Sequence, residues 1–255
     1  MRKNTVTVQS VDRALEIIDI LEDEPQGLGV TPLSKKMGVS KSTIYRLLSS
    51  LLNKEYVRQN EETQKYHLGL RLMQLGQTVT NQIDIRQVAA PVMERLVRDT
   101  GETVHLVVQD GNEIVYIDKI ESQATIRMFS NIGKRAPMHC TGVGKAILSN
   151  LSDEEIDNII KENGLEKFTN NTIIDPQKLK EHLKEVQMLG YSIDDEEHEM
   201  GIKCAASPIL NFKGEVIAGI SVAGPIMRIN DNKIQHMAKE VLKASKEISE
   251  SLGAL

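Results

Sequence analysis

The stretch TPLSKKMGVSKSTIYRLLSSLLNKEY, residues 31–56, decides the fold of the N-terminal part of the chain. Thr31 followed by Pro32 reads as an N-cap with proline at the first helical position, where a missing N–H costs nothing. A short helix is therefore expected to start there and to end at Gly38. Ser40 caps a second helix, in which Ile44, Leu47, Leu48, Leu51 and Leu52 recur at helical spacing and form one apolar face. Two short helices joined by a glycine turn make a helix-turn-helix over about residues 30–49.

The other face of the second helix carries Lys41, Ser42, Thr43, Tyr45, Arg46, Ser49 and Ser50, with no carboxylate among them. Hydroxyls at a helix start reach phosphate oxygens or base edges, and an arginine one turn on can fork onto guanine O6 and N7 in a major groove. An ordinary solvated face is the plain alternative. Local charge favours DNA: residues 35–58 hold six cations against the single Glu55, in a chain whose formal net charge is −5. Counterion release depends on the phosphates contacted, so an acidic total does not exclude a local DNA surface.

Working outward, Ser10 is expected to cap a helix with an apolar stripe of Val11, Ala14, Leu15, Ile18 and Leu21. On the other side, Tyr56-Val57-Arg58 and Lys65-Tyr66-His67-Leu68 flank a polar stretch and read as a hairpin. Three helices and a hairpin are a winged helix, expected over residues 8–70, with Arg58 and Lys65 on the wing as phosphate contacts. Residues 71–84 read as a linker helix whose apolar side, with Leu72, Leu75, Gly76 and Val79, needs a partner. Because helix-turn-helix proteins pair to match two-fold operators, that side is a candidate dimer contact, with docking within the chain as the equal alternative.

Residues 85–254 read as a second domain of α+β class. A helix is expected over 85–100, with a kink or break at Pro91. A hairpin follows, TVHLVVQ and EIVYIDK about the turn DGN, and TIRMF at 125–129 adds a strand. Helices are expected near 144–150, 152–162 and 175–189, then strands IKCAASPIL and EVIAGISVAG, and a long closing helix. Helices laid against one antiparallel sheet suit a small-ligand domain.

Composition narrows the function classes. Aromatics are 3% of residues and Trp is absent, which leaves few stacking platforms for single-stranded nucleic acid. Cys140 and Cys204 are far apart and form no CxxC, so neither a disulfide framework nor a zinc site is signalled. No run approaches the roughly 18 apolar residues of a membrane span, and MRKNTVTVQS lacks an apolar leader core. A cytoplasmic protein without membrane association is expected.

Four motifs, taken in order, give the chain a familiar outline: SVDRALEIIDIL with GVSKSTIYRLLSSL, then PMHCTGVGKAIL, then GYSIDDEEHEMGIKCAASPI, then EVIAGISVAGP. Together they resemble the IclR (isocitrate lyase regulator) family of transcription factors over nearly the whole chain. That resemblance implies a winged helix-turn-helix domain, a linker helix and a GAF-like effector-binding domain, assembled as a homodimer or tetramer on double-stranded operator DNA. It also implies an effector site for a small organic acid at Gly142, Val143, Asp194, Cys204 and Ser221. A hydroxy, keto or sugar acid of the 2-keto-3-deoxygluconate type fits this chemistry, with Met128, Met138 and Ile202 closing the pocket. Ala223 stands where some relatives carry a second serine.

Other signals fail on inspection. GVGK at 142–145 lacks the P-loop glycine at His139 and the Ser/Thr at Ala146, and Gly142-x-Gly144 lacks the third dinucleotide-fingerprint glycine at Ile147. The run Asp194-Asp195-Glu196-Glu197 before His198 reads as a solvated loop, not a metal cluster. Adjacent His139 and Cys140 rarely point at one another, so a catalytic pair is not expected. No catalytic residue, metal or cofactor is therefore assigned. An enzyme acting on a small acid and a winged-helix adaptor for protein contacts stand as the alternatives to a repressor controlled by an effector acid.

Overall fold

A computed structural model describes residues 7–81, 84–125 and 130–254. Its contacts divide the chain into two compact units, Met1–Gln82 and Ile83–Leu255. The first holds helices α1 (Gln9–Glu22), α2 (Val30–Met37) and α3 (Lys41–Asn53), strands β1 (Val57–Gln59) and β2 (Tyr66–Leu68), and helix α4 (Leu70–Asn81). Gly38 ends α2 in the left-handed conformation that an L side chain avoids. Ser40 caps α3 by accepting from the Thr43 amide at 3.3 Å, a contact worth about 1 kcal/mol. Ile44, Leu48 and Leu51 of α3 pack with Ile17, Leu21, Leu33, Val57 and Tyr66.

Three expectations for this unit need correction. α1 starts after Val8 without a side-chain cap, so Ser10 lies inside the helix. Its buried face is centred on Ile17 and Leu21, while Val11 and Leu15 are more than half exposed. α2 starts after Gly29, which places Thr31 and Pro32 in its first turn and not at its cap. Leu28 also pairs antiparallel with Tyr66, adding a third short backbone contact to the wing.

The second unit holds α5 (Asp84–Thr100), β3 (Thr103–Asp110), β4 (Glu113–Ile120), β5 (Arg135–Pro137), α6 (Gly142–Leu148), α7 (Asp153–Asn163), α8 (Pro176–Leu189), β6 (Ser192–Asp195), β7 (Ile202–Leu210), β8 (Val216–Pro225) and α9 (Asp231–Ser251). All strand pairs are antiparallel, in the order β5-β4-β3-β8-β7-β6. Helices cover both faces. Leu106, Ala205, Ile209, Ile220 and Val222 pack with α5 and α9, whereas Cys204, Ala206 and Ala223 belong to the cluster formed with α6, α7 and α8. This follows from the two-residue period of strands, which sends alternate residues to opposite faces.

α5 runs unbroken through Pro91, against the expected interruption. Pro91 and Gln87 both lie on the exposed side, where water can take the carbonyl that proline leaves unpaired. β5 and β6 are strands that the sequence pattern did not reveal. The expected TIRMF strand and Met128 lie largely outside the described residues. No helix among the described residues is long and apolar enough to cross a membrane.

Candidate functional site

Strand register builds a recess at the residues expected to hold an effector. Asp194, Cys204, Ala223 and Thr103 stand abreast on β6, β7, β8 and β3, and the next row on the same face is Ser192, Ala206, Ser221 and His105. The start of α6 packs onto these rows. A Cβ on Gly142 would lie 2.8 Å from Cys204 Sγ and 3.5 Å from the Asp194 Cβ, so only glycine lets the helix come this close. Ser192 Oγ donates to the Gly142 carbonyl and holds the approach.

The resulting recess encloses about 570 Å³ of free space, part of it open to solvent. Gly142, Val143, Asp194, Cys204 and Ser221 all line it, together with Ala223 and Ile202. Met138 does not: it lines a separate hollow with Leu148, Ile159 and Leu179. Thr141 caps α6 by accepting from the Gly144 amide at 3.2 Å while donating to the Pro137 carbonyl at 2.7 Å. Lys145 N bonds Thr141 O, which leaves the Gly142 and Val143 amides as the helix-start donors beside the recess.

Sequence reasoning passed over His105, Tyr116 and Ser130, which also line the recess. His105 Nε2 and Ser130 Oγ are 2.8 Å apart, and the Tyr116 ring meets the imidazole edge-on at 5.3 Å. Burial, helped by nearby Lys119, pushes His105 down to about 4, so its ring is neutral. A lone histidine within the apolar run TVHLVV was the available signal. Burial pushes the Cys204 and Cys140 thiols up, Cys140 to about 12, which makes both poor nucleophiles.

The acidic run is not a solvated loop. Asp194 is 6% exposed, and its Oδ1 accepts from the Glu197 amide at 2.8 Å. Burial raises its carboxyl to about 7, against the opposing pull of that amide and of Lys145. Glu197 is buried as well and pairs with Lys145, a fully buried lysine on α6 whose Nζ also donates to Ile193 O at 2.8 Å. A single lysine inside GVGKAIL was the sequence sign that α6 had a buried counter-ion. No group of three or more metal-ligating side chains occurs among the described residues.

In the first unit, α3 turns Lys41, Ser42, Tyr45 and Arg46 to solvent, with Thr43 half-buried. The Ser42 and Thr43 hydroxyls each lie 2.9 Å from Ser40 Oγ, so both are tied into the cap. Arg58 and Lys65 are exposed on the wing hairpin. Among the described residues, none of Lys41, Arg46, Arg58 and Lys65 has a carboxylate partner, so their charge is unspent.

Residues 10–61 match the family model for the IclR helix-turn-helix domain, and residues 77–250 match that for the bacterial transcriptional regulator IclR C-terminal domain. The chain belongs to the IclR family. It is 37% identical over 246 residues to the HTH-type transcriptional regulator XynR of Escherichia coli K12, spanning 96% of this chain and 98% of that one. It is 35% identical over 245 residues to the transcriptional repressor AllR of the same strain, spanning 96% and 90%. The crystal structure of the Thermotoga maritima IclR, 33% identical, superposes with a TM-score of 0.81 over 96% of this chain and 99% of that one. IclR-family relatives are transcriptional regulators, not enzymes, and this chain is a DNA-binding regulator with their two-domain order.

Proposed function

We propose that this IclR-family regulator is a cytoplasmic repressor, working as a homodimer or tetramer, whose grip on operator DNA is controlled by a small hydroxy or keto acid. The observation that carries the reading is the recess at Gly142, Val143, Asp194, Cys204 and Ser221, where amide donors, a hydroxyl and a carboxyl converge. The two amides suit a carboxylate, and Ser221 with Asp194 suits a hydroxyl or keto oxygen. A sugar acid is the member of this class that offers the most hydroxyls to Asp194 and Ser221.

On the DNA side, Arg46 reads a base edge while Lys41, Ser42, Thr43 and Tyr45 set the helix against the backbone, and Arg58 with Lys65 carry the wing contact. Residues 71–84 link the DNA-binding and effector domains. Repression is favoured by AllR being a repressor, and the cytoplasm is where such a protein meets the chromosome. Fluorescence anisotropy on operator duplex, with hydroxy and keto acids titrated in, tests the reading. Acid should shift operator affinity in the parent and leave an Asp194→Ala variant unresponsive yet able to bind DNA. An acid that shifts both proteins equally would place the effector elsewhere.

A further inference from the structure

Resting on the reading of this recess as the effector site, we propose that the acid is taken up as its anion together with one proton, which sits on Asp194. The side chain then acts as a hydrogen-bond donor that selects an acceptor oxygen on the ligand. Charge in the recess points this way. Among the described lining residues, Lys134 is the one permanent cation, and it lies 3.8 Å from Glu199, which also lines the recess. Among the described lining residues, an entering carboxylate would therefore face Asp194 with no further cation to offset the pair. Two carboxylates confined together cannot both stay ionised; one takes a proton.

The groups around Asp194 show which one holds it. From α6, Lys145 is committed to Glu197, to Ile193 O and to His182 Nε2 at 3.3 Å, so it favours the ionised form only through space. From the following loop come Glu197, which opposes ionisation, and the amides of Glu197 and His198, which favour it. Cys204 lies opposite on β7, and Cys140 lies before α6; burial keeps both as neutral thiols. Across the recess, burial with Lys119 holds His105 neutral, and burial pushes Tyr116 up. Burial pushes His198 down, with Glu199 opposing and Lys134 adding to the fall. Asp195, next in the chain, is paired to Lys203 at 2.9 Å. Asp194, held by burial at about 7 before any ligand arrives, is thus the lining group most ready to be protonated near neutrality.

The consequence is a linkage of fixed sign. Below about pH 7 the proton is already in place and affinity is flat; above it each binding event draws a proton from solvent, and affinity falls about tenfold per pH unit. Calorimetry of the full chain with pyruvate, lactate and glycerate, at about pH 8 in buffers of different ionisation enthalpy, reads this directly. The expected result is uptake approaching one proton per ligand in the parent. Asp194→Asn, which keeps an acceptor for the Glu197 amide and a permanent donor for the ligand, should bind with little uptake and a flat pH profile. No uptake by the parent, combined with lost binding in Asp194→Ala, overturns the proton while leaving the site in place. Parent-like affinity and uptake in Asp194→Ala overturns the site itself. Failure of all three acids to bind between about pH 5.5 and about pH 8.5 overturns both. Parent proton uptake needs no variant, so the test survives a substitution that fails to fold.

Discussion

Arg46 and Lys41, both exposed on α3 and five residues apart, are proposed to do different work. Replacing Arg46 with alanine should cost about 1–3 kcal/mol on the operator and relax preference at one base pair, read by binding to a set of singly altered duplexes. Lys41→Ala should weaken specific and random duplex alike and lower the salt slope by about one. In the effector domain, two buried groups pull stability in opposite directions with pH. His105 is lowered from 6.5 to about 4, so its unfolded form binds more protons in that window and stability is lost as pH falls through it. Asp194 is raised from 3.8 to about 7, so its folded form binds more protons and stability is lost as pH rises through that window. Denaturant midpoints should show His105→Gln gaining on the parent toward acid pH and Asp194→Asn gaining toward pH 7. Parallel curves for all three proteins would show that neither group titrates as described.

At the scale of an element, α6 is held at its start and at its middle. Thr141 and Ser192 fix its start, and Lys145 ties its middle to the loop after β6 through Glu197. Replacing Lys145 with methionine strands the Glu197 carboxylate, whose Oε2 already lacks a partner, at an expected cost of about 3–5 kcal/mol in chemical unfolding. A second change, Glu197→Leu, should recover most of that loss, because removing both charges removes the desolvation problem with them. A double variant as unstable as the single one would mean that packing, not charge, accounts for the loss.

For the whole molecule, the first unit leaves Val11 and Leu15 of α1 and Leu70 and Met73 of α4 exposed, the last two at 71% and 68%. Apolar side chains this open favour self-association, which a winged helix needs in order to read paired half-sites. Leu70→Ser with Met73→Ser should lower the mass seen by light scattering and weaken palindromic duplex far more than a half-site. Unchanged mass would assign those side chains another role. Effector control then requires the acid to bind the DNA-competent and incompetent forms unequally, since equal affinity shifts nothing.

Local rules determined much of this protein. Ser40 as a cap, Gly38 as a stop, the apolar face of α3 and the order of the helices were legible because they depend on neighbours a few residues away. The basic bias over residues 35–58 and the four spaced motifs carried the family and the DNA-binding class. Local rules misplaced the starts of α1 and α2, which follow Val8 and Gly29 without a side-chain cap. At the proposed effector site, Asp194, Cys204 and Ser221 were legible only through resemblance, and His105 was passed over. His105, Ser221, Cys204 and Asp194 come from four strands, and antiparallel register brings them together, across more than a hundred positions between His105 and Ser221. Tertiary structure alone decided that Asp194 and Glu197 leave solvent while Asp195 remains exposed. Burial of a carboxylate requires a partner that sequence spacing does not reveal: for Glu197 it is Lys145, 52 residues away on another element.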